Sequence, residues 1–430
     1  MGYIIEKIKA RRATMKNMGF YLLASTIPMF FSLFTTPLYA LYLSKTDFAI
    51  TGYYGSFGTL FAPLILFYFN QYYMREYFFR PESERKKLKV MVFKAFLVFP
   101  FIIMLLCIAG IWCYMYFFNK GSEVPFFPYA FLSFIPSTLC GLYNIELIDF
   151  KVRRQGKKYF WTSITNSAMA VVFTVLFVVA LQWGAKGKMI GAAIPVMIMF
   201  GWAFFRNREL LSEKFDWGMF KNAVVFCAPL VFAAMLGFFS GGYDKIYLEK
   251  HVPIEELGLY SIGLSIVAYL GVFSTAINDT FNPDLYESLA KKDNRRALKY
   301  VTLQIAIMAS IVLIFIVFAR IALLVLTANR YVDATPYARI ASISAVTSMV
   351  YGSISTYIIS AKKTKIIMYT KILGSIVCVL SYNILVSYYG VIGAAWGYAV
   401  SPLYFAFFAF SIYLIAKIVD KNKNMSRISK

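Results

Sequence analysis

Five polar side chains at the ends of long apolar segments have the chemistry to hold an anionic group. Asn70 and Gln71 lie at the end of the second apolar segment and Arg75 follows it, and Lys94 and Lys371 lie near the start of two later ones. Arginine can hold two phosphate oxygens together, and lysine adds a point charge. Charged groups inside a membrane span are costly, so each is a candidate site residue. We predict that these five bind a phosphate-bearing substrate; the alternative is that they only reach towards lipid headgroups.

A second set of residues is typical of gates and bends. Asp244 and Lys245 are neighbours at the predicted outer end of the seventh apolar segment, where we expect a structural pair that holds an outer gate. Pro28 and Pro37 interrupt the first segment, and Gly242 ends a run of glycines in the seventh. Small residues let helices approach closely, and prolines permit bending. We therefore predict that helices 1, 2, 7 and 8 are broken and closely packed.

The elements that position these residues are membrane spans. The chain has 430 residues, of which 60% are hydrophobic and 15% charged, whereas charged residues make up about a quarter of a soluble domain. A run of about 20 apolar residues crosses the hydrocarbon core. The sequence predicts an all-α polytopic protein without a soluble catalytic domain. Its twelve predicted spans are 19–43, 50–72, 90–118, 124–148, 159–182, 189–205, 220–243, 257–279, 299–319, 336–360, 366–388 and 391–416.

The net charge of +23 follows the predicted topology. Most of the 44 basic residues lie in the N-terminal segment, in alternate connectors and in the C-terminal tail. An excess of lysine and arginine marks cytoplasmic loops, which places both termini in the cytoplasm. The same charge also favours contact with anionic membrane lipids. A nucleic-acid partner is not expected.

Metal and cofactor sites are not expected either. The five cysteines all fall inside predicted spans, and the single histidine, His251, has no ligand partners at a suitable spacing. A zinc site needs about four such ligands. We interpret the cysteines as small apolar packing residues.

The chain repeats itself at an offset of about 206 residues. Gly52-Tyr53-Tyr54 corresponds to Gly258-Leu259-Tyr260, and Gly184 through Gly191 corresponds to Gly390 through Gly397. Internal repeats are common in secondary transporters, whose substrate sites lie between the repeats. We therefore predict an N-terminal six-helix bundle over 1–215 and a C-terminal six-helix bundle over 216–430.

Several short motifs resemble those of the Wzx-type polysaccharide flippases. They are Gly242-Tyr243-Asp244-Lys245 with Gly258-Leu259-Tyr260, the Asn278…Pro283 helix end, Gly390-Val391-Ile392-Gly393-Ala394-Ala395, and Asp47-Phe48 followed by Gly52-Tyr53-Tyr54. The resemblance covers essentially the whole chain. The larger superfamily also includes the lipid II flippases and the multidrug exporters called MATE.

The resemblance implies two six-helix bundles that form a V-shaped central cavity, open alternately to each side. It implies translocation of undecaprenyl-pyrophosphate-linked oligosaccharide from the cytoplasmic to the outer leaflet of the bacterial inner membrane. The product would be O-antigen of lipopolysaccharide, capsule or exopolysaccharide. The implied partners are the lipid-linked oligosaccharide, a polysaccharide polymerase, a chain-length regulator and a coupling ion.

Two other functions are open at this point. A cation-coupled multidrug exporter of the MATE type would need an apolar or acidic cavity, yet helices 1 and 2 contain no carboxylate in mid-span. A membrane glycosyltransferase or polymerase would need a sizeable outer loop with an acidic or basic site. The longest predicted outer connectors, around 244–256 and 320–335, are short for that. We therefore expect a flippase and not an enzyme.

Overall fold

The computed structural model describes residues 20, 23–24, 26–291, 293–360 and 365–428. The basic residues of the N-terminal segment, together with Lys362 and Lys363, lie outside these ranges. Within them the chain is helical and contains no strand. By its internal contacts the chain divides into two compact units, Met1–Met235 (unit 1) and Leu236–Lys430 (unit 2).

Unit 1 is a helical bundle with an aromatic core. Phe69, Phe93 and Phe96 are buried at its centre and pack against Phe99 and Phe220. Among its helices, α5 packs on α7 and α2, and α6 packs on α7. The described helices are α1 (26–42), α2 (Lys45–Leu66), α3 (Phe69–Phe79), α4 (Glu82–Phe118), α5 (Tyr129–Val152), α6 (Gly156–Val175) with a π-helical turn (Leu176–Ala180), α7 (Gly184–Arg206) and α8 (Trp217–Met235).

Unit 2 is a second helical bundle, in which α14 packs extensively on α15 and α13 lies between α12 and α14. Its helices are α9 (Phe238–Gly241), α10 (Tyr243–Glu249), α11 (Ile254–Val267), α12 (Leu270–Ala290), α13 (Asn294–Leu326), α14 (Thr335–Ser360) and α15 (Lys365–Ile428). α15 consists of two helical arms that meet at Gly390, where the backbone is not helical. The arms pack against each other, since the Ser401 hydroxyl on the second arm lies 3.4 Å from the Tyr382 hydroxyl on the first.

Among the described residues, ten helices are long and apolar enough to cross a membrane. That total takes α15 as one helix and leaves out α1. Separating the two arms of α15 and adding α1 gives the twelve predicted spans. The outer surface agrees, since α13 exposes Leu313, Ile314, Val317 and Phe318 along one face. Side chains of this kind suit contact with lipid tails. The chain is an all-α, multi-pass membrane protein with two helical bundles.

Three of the four helices predicted to be broken are broken. The second predicted span divides into α2 and α3 at Phe67 and Tyr68, which have φ angles of 49° and 54°. This left-handed conformation is unfavourable for bulky side chains and persists only where packing holds it. The seventh span divides at Gly237 and Gly242, and the eighth divides between α11 and α12.

The prediction of a break in the first span is wrong for residues 26–42, which stay helical through Pro28 and Pro37. A proline removes one helical hydrogen bond and crowds the preceding turn. Here the turn before Pro37 has additional hydrogen bonds, since the Thr35 and Thr36 hydroxyls donate to the carbonyls of Phe31 and Ser32 at 2.9 and 2.7 Å. Both prolines lie inside a continuous helix.

The repeated glycines build the same turn in both units. Gly184 and Gly390 have φ angles of +56° and +57°, a conformation that glycine adopts without strain. Three residues later, Gly187 and Gly393 lie against carbonyl oxygens of the preceding helix, leaving no room for a side chain. The sequence repeat is thus a repeated helical hairpin.

Replacing Gly393 by alanine is expected to destabilise unit 2. The new methyl group would overlap the carbonyl oxygen of Leu385, so the two arms of α15 must move apart. Overpacking of this kind costs about 1–3 kcal/mol. Gly352→Ala is the matched control, because no atom lies within 4 Å of its added carbon. Thermal unfolding in detergent should show a lower midpoint for Gly393→Ala alone; equal midpoints would contradict the packing described.

Candidate functional site

Arg75 lies on α3 with its guanidinium against two aromatic rings. The guanidinium carbon is 4.8 Å from the centre of the Phe226 ring on α8 and 5.4 Å from that of Phe79. One nitrogen lies 3.3 Å from a Glu76 carboxylate oxygen, but Glu76 also holds Arg80 at 2.8 Å. Half of the Arg75 side chain is exposed. The guanidinium is therefore held in place by the rings while keeping donors available for a phosphate group.

Lys371 lies in unit 2, within the first arm of α15. At 1.5 Å per residue it is about 9 Å along the helix from Lys365. Its ammonium nitrogen is 5.4 Å from the centre of the Tyr351 ring and 5.0 Å from that of Phe405. Within the described part of the chain this nitrogen makes no ion pair. An ammonium ion supported only by ring faces in a membrane span is a candidate for an anionic ligand.

The other predicted binding residues have different surroundings. Asn70 and Gln71 begin α3 one to two turns before Arg75; the Asn70 Oδ1 is buried and has no hydrogen-bond partner among the described residues. Gln71 is exposed. Lys94 donates from its ammonium group to the carbonyl oxygens of Leu211 and Glu213, at 2.9 and 2.5 Å. Asn70, Gln71 and Arg75 are thus brought together on one helix, whereas Lys94 fastens the connector between α7 and α8.

One end of unit 1, which we call the basic end, contains a network of buried charged side chains. The Glu146 side chain is 1% exposed, and its two oxygens are 2.7 Å from Lys89 Nζ and 2.8 Å from Arg206 Nε. Asp149, one turn later on α5, is 2.9 Å from Lys89 Nζ and 3.3 Å from Arg153. Buried charges are tolerated where they are paired in this way. The network therefore joins the ends of α4, α5 and α7.

Glu146 and Asp149 lie at the end of the fourth predicted span, 124–148, but the sequence does not indicate their partners. A signal was present in the i, i+3 spacing of the two carboxylates, which puts them on one helix face. The chain also offers many basic residues near helix ends of the same predicted side. Which of them pair depends on how three helices pack, because Lys89 and Arg206 lie far from Glu146 in the chain.

Asp244 is buried in unit 2 and bonds to a tyrosine. Its Oδ2 accepts from the Tyr260 hydroxyl at 2.6 Å, while its Oδ1 is buried without a hydrogen-bond partner among the described residues. No described ion pair joins it to Lys245. Gly242 precedes this group at the break between α9 and α10, where an added side chain would meet the Phe238 ring 2.7 Å away. The role of Asp244, Lys245 and Gly242 at a gate stays a prediction.

The repeated tyrosine has a different partner in each unit. Tyr54, which corresponds to Tyr260, donates to the carbonyl oxygen of Pro125 at 2.8 Å. Asp47, at the start of α2, accepts from the backbone nitrogen of Ala185 at 2.6 Å and from that of Ser44 at 2.8 Å. The carboxylate of α2 thus ties two turns of unit 1 together.

No family model and no curated protein matches the sequence. Solved structures do match. A structure described as the lipid II flippase MurJ in an inward closed conformation has a TM-score of 0.71 at 14% identity, covering 92% of this chain and 87% of that chain. An inward-facing multidrug resistance MATE family transporter of the MOP superfamily has a TM-score of 0.69 at 12% identity, covering 94% and 99%.

A third structure, a point mutant of a MATE protein, has a TM-score of 0.59 at 11% identity and covers 96% of each chain. The identities are low, so these similarities concern the fold. They span nearly the whole length of both partners. The chain has the fold shared by the MurJ flippase and the MATE transporters of the MOP superfamily.

Proposed function

We propose that this protein is a flippase for undecaprenyl-pyrophosphate-linked oligosaccharide, moving it from the cytoplasmic to the outer leaflet during synthesis of a surface polysaccharide. The observation that carries the proposal is Lys371, an ammonium group within a membrane span that faces two rings and makes no ion pair among the described residues. Such a group is best compensated by an anionic substrate. A pyrophosphate supplies that charge.

The other candidate cation, Arg75, suits the same substrate. Its half-exposed guanidinium can hold phosphate oxygens bidentately, while the Phe226 and Phe79 rings keep it in position. Asn70 and Gln71 on the same helix can bond to phosphate or sugar oxygens. We infer that Arg75 and Lys371 capture the headgroup from the cytoplasmic side, one in each half of the protein.

The carboxylates of unit 1 also favour an anionic over a cationic substrate. Those on its membrane-spanning helices lie near helix ends, and Asp47, Glu146 and Asp149 are each bonded within the protein. A cavity for cationic drugs would need a carboxylate free to meet the drug. Among its described residues, unit 1 has no carboxylate in the middle of a membrane-spanning helix, as binding of a cationic drug would require.

The second candidate function is a cation-coupled multidrug exporter of the MATE type. The TM-scores with the flippase and the MATE transporter are close, at 0.71 and 0.69. A coupled exporter needs a group that binds a proton or a cation, and the buried Oδ1 of Asp244, which has no described partner, has that chemistry. A coupling ion at Asp244 would also serve a flippase, so it does not separate the two functions.

An enzyme with a catalytic outer loop is not favoured. The described connectors at the predicted outer positions are short: Lys250–Pro253 lies between α10 and α11, and 327–334 between α13 and α14. We propose that the protein lies in the bacterial cytoplasmic membrane with both termini in the cytoplasm. There it would supply a polysaccharide polymerase and chain-length regulator on the outer side.

Deleting the gene is expected to trap lipid-linked oligosaccharide on the cytoplasmic leaflet and to remove the surface polysaccharide. The reason is that the pyrophosphate and sugars cannot cross the hydrocarbon core unaided. Surface polysaccharide and accumulated lipid-linked oligosaccharide are both measured in the deletion strain, with and without a plasmid copy of the gene. A deletion strain with normal polysaccharide but new sensitivity to cationic dyes would instead establish the exporter.

A further inference from the structure

The basic end of unit 1 contains a cavity that the proposed transport step does not use. Its volume is about 510 Å³, within the range of roughly 300–1,000 Å³ typical of small-ligand sites. It lies between α3, the start of α4 and the ends of α5 and α7. Four cations line it, namely Arg85, Lys86, Lys89 and Arg153, and Glu82 is the one carboxylate among the described lining residues.

Three of these cations already have carboxylate partners. Lys89 is held by Glu146 and Asp149, Arg153 by Asp149, and Lys86 by Glu213 at 2.6 Å. These pairs fix the positions of the cations around the cavity. Because these carboxylates are paired with cations, their repulsion of an anion in the cavity is reduced.

Arg85 is the lining cation that has no ion pair within the described part of the chain. Its guanidinium carbon is 4.6 Å from the centre of the Tyr77 ring, and its Nε is buried without a hydrogen-bond partner among the described residues. A buried donor that has lost water and gained no acceptor is costly. An anion in the cavity would supply the countercharge that the Arg85 guanidinium lacks among the described residues.

We propose that this cavity binds a phosphate group, with Arg85 as its main contact and the other three cations around it. The phosphate belongs either to an anionic lipid headgroup or to a soluble phosphate compound. Basic pockets between helices at the predicted cytoplasmic side are suited to lipid headgroups. Arginine, with its planar fork of donors, is suited to phosphate oxygens.

The cavity is separate from Arg75, the predicted capture residue. Tyr73 and Tyr77, one turn apart on α3, face the cavity, whereas Arg75 points to the opposite side and stacks on Phe226 of α8. Residues two positions apart on a helix lie about 200° apart around its axis. Phosphate binding here therefore stands whether the transported substrate is a glycolipid or a drug.

Two probes test the site and identify the source of the phosphate. The purified full-length protein is titrated in neutral detergent with inorganic pyrophosphate while its thermal unfolding is followed. In parallel, it is placed in phosphatidylcholine nanodiscs with or without phosphatidylglycerol, and the lipid that it retains on release is counted by native mass spectrometry. Retention of phosphatidylglycerol that Arg85→Gln weakens assigns the site to a lipid headgroup. Stabilisation by pyrophosphate that Arg85→Gln weakens, without such retention, assigns it to a soluble phosphate compound, and stabilisation that Arg85→Gln leaves unchanged belongs to the capture residues Arg75 and Lys371.

Arg85→Gln should weaken binding of the effective probe roughly tenfold to a hundredfold, the loss expected for a charged hydrogen bond. Lys87→Gln is the matched control, because it removes one positive charge from the same turn of α4 at an exposed position outside the cavity. Glu82→Gln should strengthen binding, since it removes the negative charge that faces the ligand.

The proposal fails if neither probe binds the wild-type protein. It also fails if Arg85→Gln and Lys87→Gln weaken binding equally, which would indicate a diffuse surface charge and no built site. Should Arg85→Gln unfold the protein, Glu82→Gln decides the matter. Unchanged or weaker binding in that variant would contradict a phosphate in this cavity.

Discussion

Replacing Lys371 by alanine is expected to reduce flipping at least tenfold while leaving the protein inserted and abundant. A charged hydrogen bond to a phosphate in a partly desolvated cleft contributes about 1.5–3 kcal/mol, and each 1.4 kcal/mol is about tenfold in affinity. Flipping is measured with a lipid-linked oligosaccharide in proteoliposomes. Surface polysaccharide in the complemented deletion strain provides a second measurement at equal protein abundance.

The ring contacts of Lys371 suggest a competing, structural role. An ammonium group over the Tyr351 and Phe405 rings can stabilise unit 2 by itself, by about 0.5–2 kcal/mol. Lys371→Met separates the two roles, because methionine keeps most of the packing and loses the charge, whereas Lys371→Arg keeps the charge. Full flipping by Lys371→Met, at a normal unfolding midpoint, would leave Lys371 with a structural role only.

The Arg75→Ala variant is easier to interpret than Lys371→Ala. Half of the Arg75 side chain is exposed, and its removal leaves no buried charge unpaired among the described residues. Glu76 keeps Arg80 at 2.8 Å when Arg75 is gone. Arg75→Ala should therefore lose flipping without losing stability. Arg75→Lys should retain part of the activity, since the charge survives but the planar fork does not. Full surface polysaccharide in the Arg75→Ala, Lys371→Ala double variant would exclude both residues from headgroup capture.

The largest effect on stability is expected from Glu146→Gln. The carboxylate is fully buried between Lys89 and Arg206, and removing one member of a buried ion cluster typically costs about 3–5 kcal/mol. The loss arises because Lys89 keeps only Asp149 as a partner and Arg206 loses its ion pair among the described residues. The unfolding midpoint in detergent should fall clearly, and the amount of protein in the membrane should fall with it.

Glu213→Gln is the matched control for this prediction. Glu213 lies at the same end of unit 1 and its ion pair with Lys86 has a similar length, 2.6 Å against 2.7 Å for Glu146 with Lys89. The difference is exposure, because the Lys86 and Glu213 side chains are 68% and 44% exposed. Solvent and salt weaken such a pair. Lys86 also lowers the pKa of Glu213. Equal loss of stability in the two variants would show that burial does not set the strength of the cluster.

Several features of the fold could be predicted from the sequence because they depend on local pattern. Apolar runs of sufficient length predict the spans, since the bilayer thickness requires them. The repeated glycines predicted a repeated structure, and Gly184 and Gly390 both have a positive φ angle, at +56° and +57°. The second, seventh and eighth spans are broken as predicted, but the second breaks at Phe67 and Tyr68, where there is no glycine or proline. The prediction failed for α1, because a proline removes only one helical hydrogen bond and is tolerated inside membrane helices.

Candidate residues could be found from the sequence, but their surroundings could not. The amino-acid sequence alone shows a charged residue beside an apolar run, which is why Arg75, Lys371 and Asp244 could be named as candidates. The tertiary structure decided that Lys371 faces two rings, that Lys94 holds a connector, and that Asp244 bonds to Tyr260. These outcomes depend on which helix faces meet.

The basic end of unit 1 shows most clearly why some features follow from the sequence and others only from the tertiary structure. Hydropathy and charge alternation are properties of neighbouring residues, so the sequence alone determines the spans and the predicted side of each connector. Pairing of Lys89 with Glu146, 57 residues away, is a property of helix packing. So is the position of Arg85 beside Tyr77. In a chain with many more cations than anions, only the three-dimensional arrangement decides which cation is left to bind a ligand.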